Sequence, residues 1–185
     1  MLEEALALIE EHGHASLTLR EVARRIGVSH AAPYRHFADR RALMTELAIQ
    51  AAAEIAARTQ AALDGAGDDI RARFLSAGFV YVHFALDRPA LFQAAFSGEA
   101  DAEDPRMQEA KQRSFGILLE FIEAAQRVGA FRPGPPEELA RSVWAMHHGL
   151  ATLAAAGAFA AHGPEGLRRV SDDAHARLLD GLMLP

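Results

Sequence analysis

Residues 17–43, LTLREVARRIGVSHAAPYRHFADRRAL, decide how the chain is read. Thr18 and Glu21 stand in the S/T-x-x-E spacing of a capping box, where each side chain satisfies an unpaired backbone N–H at a helix start, and Leu17 and Val22 hold the positions of a hydrophobic staple. Leu19, Val22, Ala23 and Ile26 then repeat on one helical face, while Arg20, Arg24 and Arg25 point elsewhere. Gly27 should end this helix, because the left-handed residue that closes a C-terminus is most cheaply glycine. Val28 is expected to plug the turn into the core, and Ser29 to cap a second short helix over residues 30–37. Pro33 is tolerable only in the first turn of that helix, and it biases Ala32 away from helical geometry. Asp39 is the expected cap of a third helix, which holds Arg40 and Arg41 in its first turn.

Two short helices joined by a glycine turn form a helix-turn-helix, whose second helix enters the major groove of DNA. With Phe37 closing the apolar side, Ser29, His30, Tyr34, Arg35 and His36 are the groups able to reach outward. Arg40 and Arg41 oppose the helix dipole at a cost of about 0.3–1 kcal/mol each when exposed, unless an anion such as a phosphate sits there. The residues divide accordingly. Thr18, Arg20, Tyr34, Arg40 and Arg41 are assigned to phosphates, and Ser29, His30 and Arg35 to base edges. His36 either reads a base or lies against Phe37, Tyr34 either meets phosphate or packs, and Arg24 and Arg25 are either DNA contacts or a solvated face.

A net charge of −6 over 185 residues argues against a nucleic-acid partner until its distribution is examined. Residues 17–41 hold six arginines against Glu21 and Asp39, a net +4, which leaves −10 for the remainder. A basic window on an acidic body directs DNA to one end. Hydrophobic residues make up 50% of the chain, enough for a substantial core, and the absence of cysteine removes disulfide and thiolate chemistry. No segment approaches the about 20 consecutive apolar residues of a membrane span, and no basic-then-apolar leader is seen, so a soluble, cytoplasmic protein is expected.

Beyond Leu43 the periodicity is helical almost throughout, without an alternating strand. Leu2, Leu6 and Ile9 form the stripe of a first helix, and Leu43, Leu47, Ala51 and Ile55 that of a long one ending at the Gly/Asp-rich 64–69. Residues 70–86 carry two stripes, one of Ile70, Phe74, Ala77, Tyr81 and Phe84 and one of Leu75, Phe79, Val82 and Leu86, so this helix should be central and buried. A short segment with Leu91, Phe92 and Phe96 precedes GEADAEDP (98–105), read as a solvated acidic loop. Helices follow over 106–128, from the FRPGPPEE turn (131–138) to Gly157, and over 165–182. The fold class is all-α: a three-helix DNA-reading domain over 1–46 and a helical body over 47–185.

The N-terminal block resembles the TetR/AcrR family of one-component transcriptional regulators, in register at Thr18, Val22-Ala23, Gly27-Val28-Ser29, Tyr34, His36-Phe37 and Leu43. Two departures stand out. Arg40 replaces the family's usual lysine and keeps the charge, and Pro33 replaces a frequent leucine and alters how the reading segment is seated. The chain opens MLEEALALIEEHG, without the basic arm usual ahead of helix one, which points to weaker phosphate anchoring or a missing N-terminal stretch. WAMHHGLATLAAAG (144–157) is similar to the Trp…His-Gly signature of a subgroup of TetR-like C-terminal domains, at Trp144, His148 and Gly149. The resemblance implies a homodimeric repressor on a pseudo-palindromic operator, paired through its last two helices and released by a small molecule. The small residues Ala151, Ala154, Ala155, Ala156 and Gly157 suit such close helix approach, or equally an internal helix pair.

For the effector, Phe74, Tyr81, Phe84, Phe92, Phe96, Phe115 and Trp144, with His147 and His148, make a candidate pocket for a hydrophobic or aromatic ligand; core packing accounts for several of them. His147 and His148 point about 100° apart on a helix, so they do not chelate one metal ion, and neither metal nor cofactor is expected. No nucleophile elbow, phosphate loop or metal cluster marks an enzyme. Two rival readings are an activator or effector-independent DNA binder on this scaffold, and a helical ligand-binding or enzymatic protein without DNA binding.

Overall fold

The computed structural model describes residues 1–183, without the side chains of His162 and Pro164. Its α-helices are α1 (Leu2–His12), α2 (Leu19–Ile26), α3 (Arg40–Gly65), α4 (Ile70–Asp87), α5 (Pro89–Phe96), α6 (Pro105–Arg127), α7 (Pro136–Ala155) and α8 (Gly163–Leu182). Single 3₁₀ turns lie at His14–Ser16, Pro33–Arg35 and Ala160–His162. Among the described residues there is no strand beyond an isolated bridge between Phe131 and Met183.

The chain divides into two compact units, one of residues 1–53 and 88–111, the other of 54–87 and 112–185. Packing thus interleaves along the chain instead of following sequence order, with α5 and the start of α6 joining the N-terminal helices.

In the first unit, Ala5, Leu8 and Ile9 are the buried stripe of α1, one step round from the expected Leu2 and Leu6, which are only half-buried. Leu19, Val22 and Ala23 of α2 and Leu43, Met44, Leu47, Ala48 and Ala51 of α3 complete the core with Ala90, Leu91 and Phe92 of α5. Half of the capping box forms. Thr18 Oγ1 accepts the Glu21 N–H at 3.1 Å, but the Glu21 carboxylate does not return to the cap; it takes the Arg24 Nε–H at 2.9 Å. Gly27 closes α2 with φ 74° and ψ 29°, its N–H donating to the Arg24 carbonyl at 3.3 Å and that of Val28 to the Ala23 carbonyl at 3.0 Å, the paired bonds of a Schellman motif.

Two local expectations fail here. Val28 is 42% exposed, whereas Pro33 is buried. The helix expected over 30–37 is one 3₁₀ turn. Pro33 lacks the N–H that would reach the Ser29 carbonyl in an α-helix, and that carbonyl accepts the Ala32 N–H at 2.9 Å instead. Ala32 nonetheless adopts φ −62° and ψ −44°, so the bias from the following proline is overridden.

In the second unit α4 packs on α7 and α8. Phe74, Tyr81, Val82, Phe84 and Ala85 are buried, whereas Leu86 is 38% exposed and Leu75 and Phe79 are half-buried, so α4 buries one broad face and not two. Phe131, read as part of a turn, is a core aromatic: it meets Phe74 and Phe121 edge-on at 6.2 and 5.9 Å. The Arg132 N–H donates to the Leu182 carbonyl at 2.7 Å and pins this turn to the end of α8. Ala151 and Ala154 are buried within the chain itself, while Ala155, Ala156 and Gly157 are exposed.

Candidate nucleic-acid interface and effector cleft

Thr18, Arg20, Ser29, His30, Tyr34, Arg35, His36 and Arg41 are all exposed in the first unit, Tyr34 to 50%. The 3₁₀ turn at Pro33–Arg35 has Tyr34 and Arg35 on its outer side because Pro33 is the residue turned inward. His36 lies 6.5 Å from the Phe37 ring and remains exposed.

The arginines are less free than their number suggests. Arg24 pairs with Glu21, and Arg25 with Glu4 at 3.0 Å and with both oxygens of Glu11. The hydrogen bond from each arginine holds the Glu11 and Glu21 carboxyls below their ordinary range. These two guanidiniums are therefore part of a solvated ion-pair face.

Arg40 is turned inward. Its Nε–H donates to the Leu17 carbonyl and an Nη–H to the His14 carbonyl, both at 2.7 Å, and its other nitrogen pairs with Glu99. Glu99 also meets His14 Nδ1 at 3.0 Å, and the hydrogen bond from Arg40 depresses its carboxyl. Arg41 reaches Asp101 at 2.6 Å, and the Asp101 N–H donates to Thr45 Oγ1 at 2.8 Å. The acidic stretch after α5 is thus tied to the start of α3 through Glu99 and Asp101 and is not simply solvated. Among the described residues Arg20 and Arg35 make no ion pair, so they hold the cations of the reading surface with no carboxylate to displace.

The candidate pocket is partly assembled. In the second unit a cleft of about 10 Å³, room for about one water, is lined by Thr59, Leu63, Phe74, Ala77, Leu118, Phe121 and His147. Of the expected set only Phe74 and His147 line it. Tyr81 stands 6.2 Å from His147 and its hydroxyl meets His148 Nδ1 at 3.2 Å, while Trp144 stacks on His148 at 5.5 Å. Phe115 packs on the aromatic core, Phe84 lies under the Arg58 guanidinium at 5.4 Å, and Phe92 and Phe96 pair at 4.8 Å in the first unit. The two adjacent histidines diverge as helical geometry demands. Among the described residues no three His, Asp or Glu side chains gather as metal ligands, and no helix is long and apolar enough to cross a membrane.

A residue missing from the sequence reading is His175, 1% exposed, whose ring lies 4.7 Å from that of His147. The signal was available: Ser171, His175, Leu179 and Leu182 recur at the helical spacing of an inward stripe, and all four are buried. Burial, with the neighbouring His175 a smaller influence, pushes His147 down to about 3. Burial likewise lowers His175, against the Ser171 carbonyl that raises it.

Unfolded His147 takes a proton below pH 6.5, the folded one only near 3, so stability is lost as pH falls through that window. At pH 5.5 this residue should make the wild type about 1.2 kcal/mol less stable than at pH ~7. Urea midpoints of wild type and His147→Gln at the two pH values check this; an identical pH loss in both would refute it.

Family models match both parts of the chain. Residues 1–47 match that of bacterial regulatory proteins, tetR family, and residues 74–178 that of a tetracyclin repressor-like C-terminal domain. The chain belongs to the TetR family. A Rhodococcus sp. RHA1 protein of unknown function is 33% identical to this TetR-family chain, covering 99% of it and 93% of its own length, with a TM-score of 0.86. The ketosteroid transcriptional regulator KstR2 of Mycobacterium tuberculosis shares the fold at 20% identity and a TM-score of 0.72, covering 100% of this chain and 93% of its own. The nucleoid occlusion factor SlmA of Marinobacter nauticus is 26% identical over 134 residues, 72% of this chain and 68% of its own. This family member is accordingly a DNA-binding regulator of transcription with a helix-turn-helix reader.

Proposed function

We propose that the chain is a homodimeric, cytoplasmic repressor, with residues 1–46 reading a pseudo-palindromic operator and residues 47–185 binding an apolar effector and pairing the subunits. One observation carries the reading: the segment after Gly27 exposes Ser29, His30, Tyr34, Arg35 and His36 together, with Arg35 unpaired by any carboxylate. Thr18, Arg20, Tyr34 and Arg41 hold phosphates beside it, and Ser29, His30 and Arg35 face base edges. Arg40, spent on the Leu17 and His14 carbonyls, supports the reader from inside.

Pairing through α7 and α8 is favoured by the exposed end of α7, where Leu153 is 50% exposed and Ala155, Ala156 and Gly157 present little bulk. An effector releases the operator only by binding the off-DNA state more tightly. Widening the small cleft beside Phe74 would supply such a difference between states.

Selection from random duplexes at low salt tests this. A palindrome with half-sites about one helical turn, or a multiple, apart is expected. Arg35→Ala should cut the preference for that site over scrambled DNA by about 1–3 kcal/mol, fivefold to over a hundredfold. Absence of any sequence preference in the wild type would overturn the reading.

A further inference from the structure

Outside the reader, two histidines meet beneath α4. His147 and His175, 5% and 1% exposed, each have an Nε2 that no hydrogen bond satisfies. A buried polar atom left unpaired costs about 1–3 kcal/mol, so two at one point demand an explanation. The chain makes room for them: a Cβ on Gly78 would stand 2.1 Å from Nε2 of His175 and 2.9 Å from Nε2 of His147. A glycine in the middle of a buried helix is what lets both rings approach α4.

Their protonation can be read from the partners. His175 Nδ1 lies 2.5 Å from the Ser171 carbonyl oxygen, which only accepts, so Nδ1 bears the hydrogen. With the ring kept neutral by burial, Nε2 of His175 is a bare lone pair. A neutral His147 ring bears one hydrogen, and its Nε2–H tautomer is the one that complements that lone pair. The residues lining the adjoining cleft, with His147 but not His175 among them, include no charged side chain, and apart from His147 and Thr59 they are apolar. No carboxylate and no cation is among the lining residues; the Arg73 guanidinium lies over the Phe121 ring at 5.6 Å.

We infer that the His147–His175 pair is the polar end of the effector site and takes an uncharged hydroxyl on an aromatic or alicyclic body, the O–H donating to His175 Nε2 and its oxygen accepting from His147 Nε2–H. This rests on the effector reading above and names its ligand class. A hydroxyl is donor and acceptor at once and satisfies both nitrogens; an ether or a hydrocarbon leaves at least one unpaired. Because the cleft holds about 10 Å³, the ligand enters by displacing Leu63 and Leu118 from Phe74, so that filling the site and changing the packing around α4 are one event.

The test uses the whole protein with phenol, anisole and toluene as probes, read by long-range ¹H–¹⁵N spectra of the histidine rings and by thermal midpoint, with His147→Gln and His175→Gln to assign the signals. Phenol should shift the Nε2 resonances of both residues and raise the midpoint, binding at least about tenfold more tightly than anisole or toluene. Equal response to phenol and anisole, or unmoved histidine signals with every probe, would overturn the assignment. Anisotropy of the selected operator separates the two claims. Phenol that shifts the histidines yet leaves the operator bound sinks effector release and keeps the site. A compound that releases the operator without touching the histidines sinks the site and keeps effector release.

Discussion

Gly78→Ala should destabilise the protein by about 1–3 kcal/mol, against the usual trend for a glycine inside a helix. Replacing a helical glycine by alanine ordinarily gains about 0.5–1 kcal/mol, because the unfolded chain loses freedom and the helix gains propensity. At Gly78 that gain is outweighed. The new methyl would lie 2.1 and 2.2 Å from Nε2 and Cδ2 of His175 and 2.9 Å from Nε2 of His147, so a buried ring must move. Neither ring is the free end of a flexible chain: that of His175 is held at Nδ1 by Ser171, and that of His147 packs against Phe74 at 6.0 Å. Gly116, also inside a helix, has nothing within 4 Å of its Cβ position, and Gly116→Ala should show the ordinary gain. Urea unfolding of both variants decides the matter. A Gly78→Ala protein as stable as wild type would mean that the pair yields easily and is not a built feature.

Arg40→Ala should cost about 1.5–3 kcal/mol of stability, through the Leu17 and His14 carbonyls left without their charged donor. Those carbonyls belong to the connection between α1 and α2, so the loss falls on the support of the reader. Arg41→Ala should differ in kind. Its partner Asp101 is an exposed ion-pair acceptor, worth at most about 1 kcal/mol, so the fold should barely respond. DNA binding should respond instead, the dependence of log affinity on log salt flattening by about one unit as one phosphate contact is lost. Unfolding midpoints and salt titrations of the two variants separate the roles. Arg40→Ala with a wild-type midpoint and a flattened salt slope would return that arginine to the phosphates.

Much of this was written in consecutive residues. Thr18 as cap, Gly27 as a left-handed stop, Asp39 accepting the Ala42 N–H at 2.8 Å and the Leu43-Leu47-Ala51-Ile55 stripe follow from interactions spanning at most a few turns. The failures near the turn were failures of competition. Val28, expected inside, is 42% exposed, while Pro33 is buried, an outcome that packing and not local pattern sets. Glu21 could satisfy its own helix start or Arg24, and the charged partner won.

The chain alone determined the α-helices, most of their stops and the place of the helix-turn-helix segment, because capping, φ preference and periodicity are properties of neighbours. Tertiary structure decided which arginines remain available and which histidines meet. Glu99 and Asp101 stand 59 and 60 residues from Arg40 and Arg41, and Gly78, His147 and His175 come from three separate helices. A carboxylate has no preference among distant guanidiniums until folding brings one within reach, and a glycine does not announce which side chains will occupy the space it leaves.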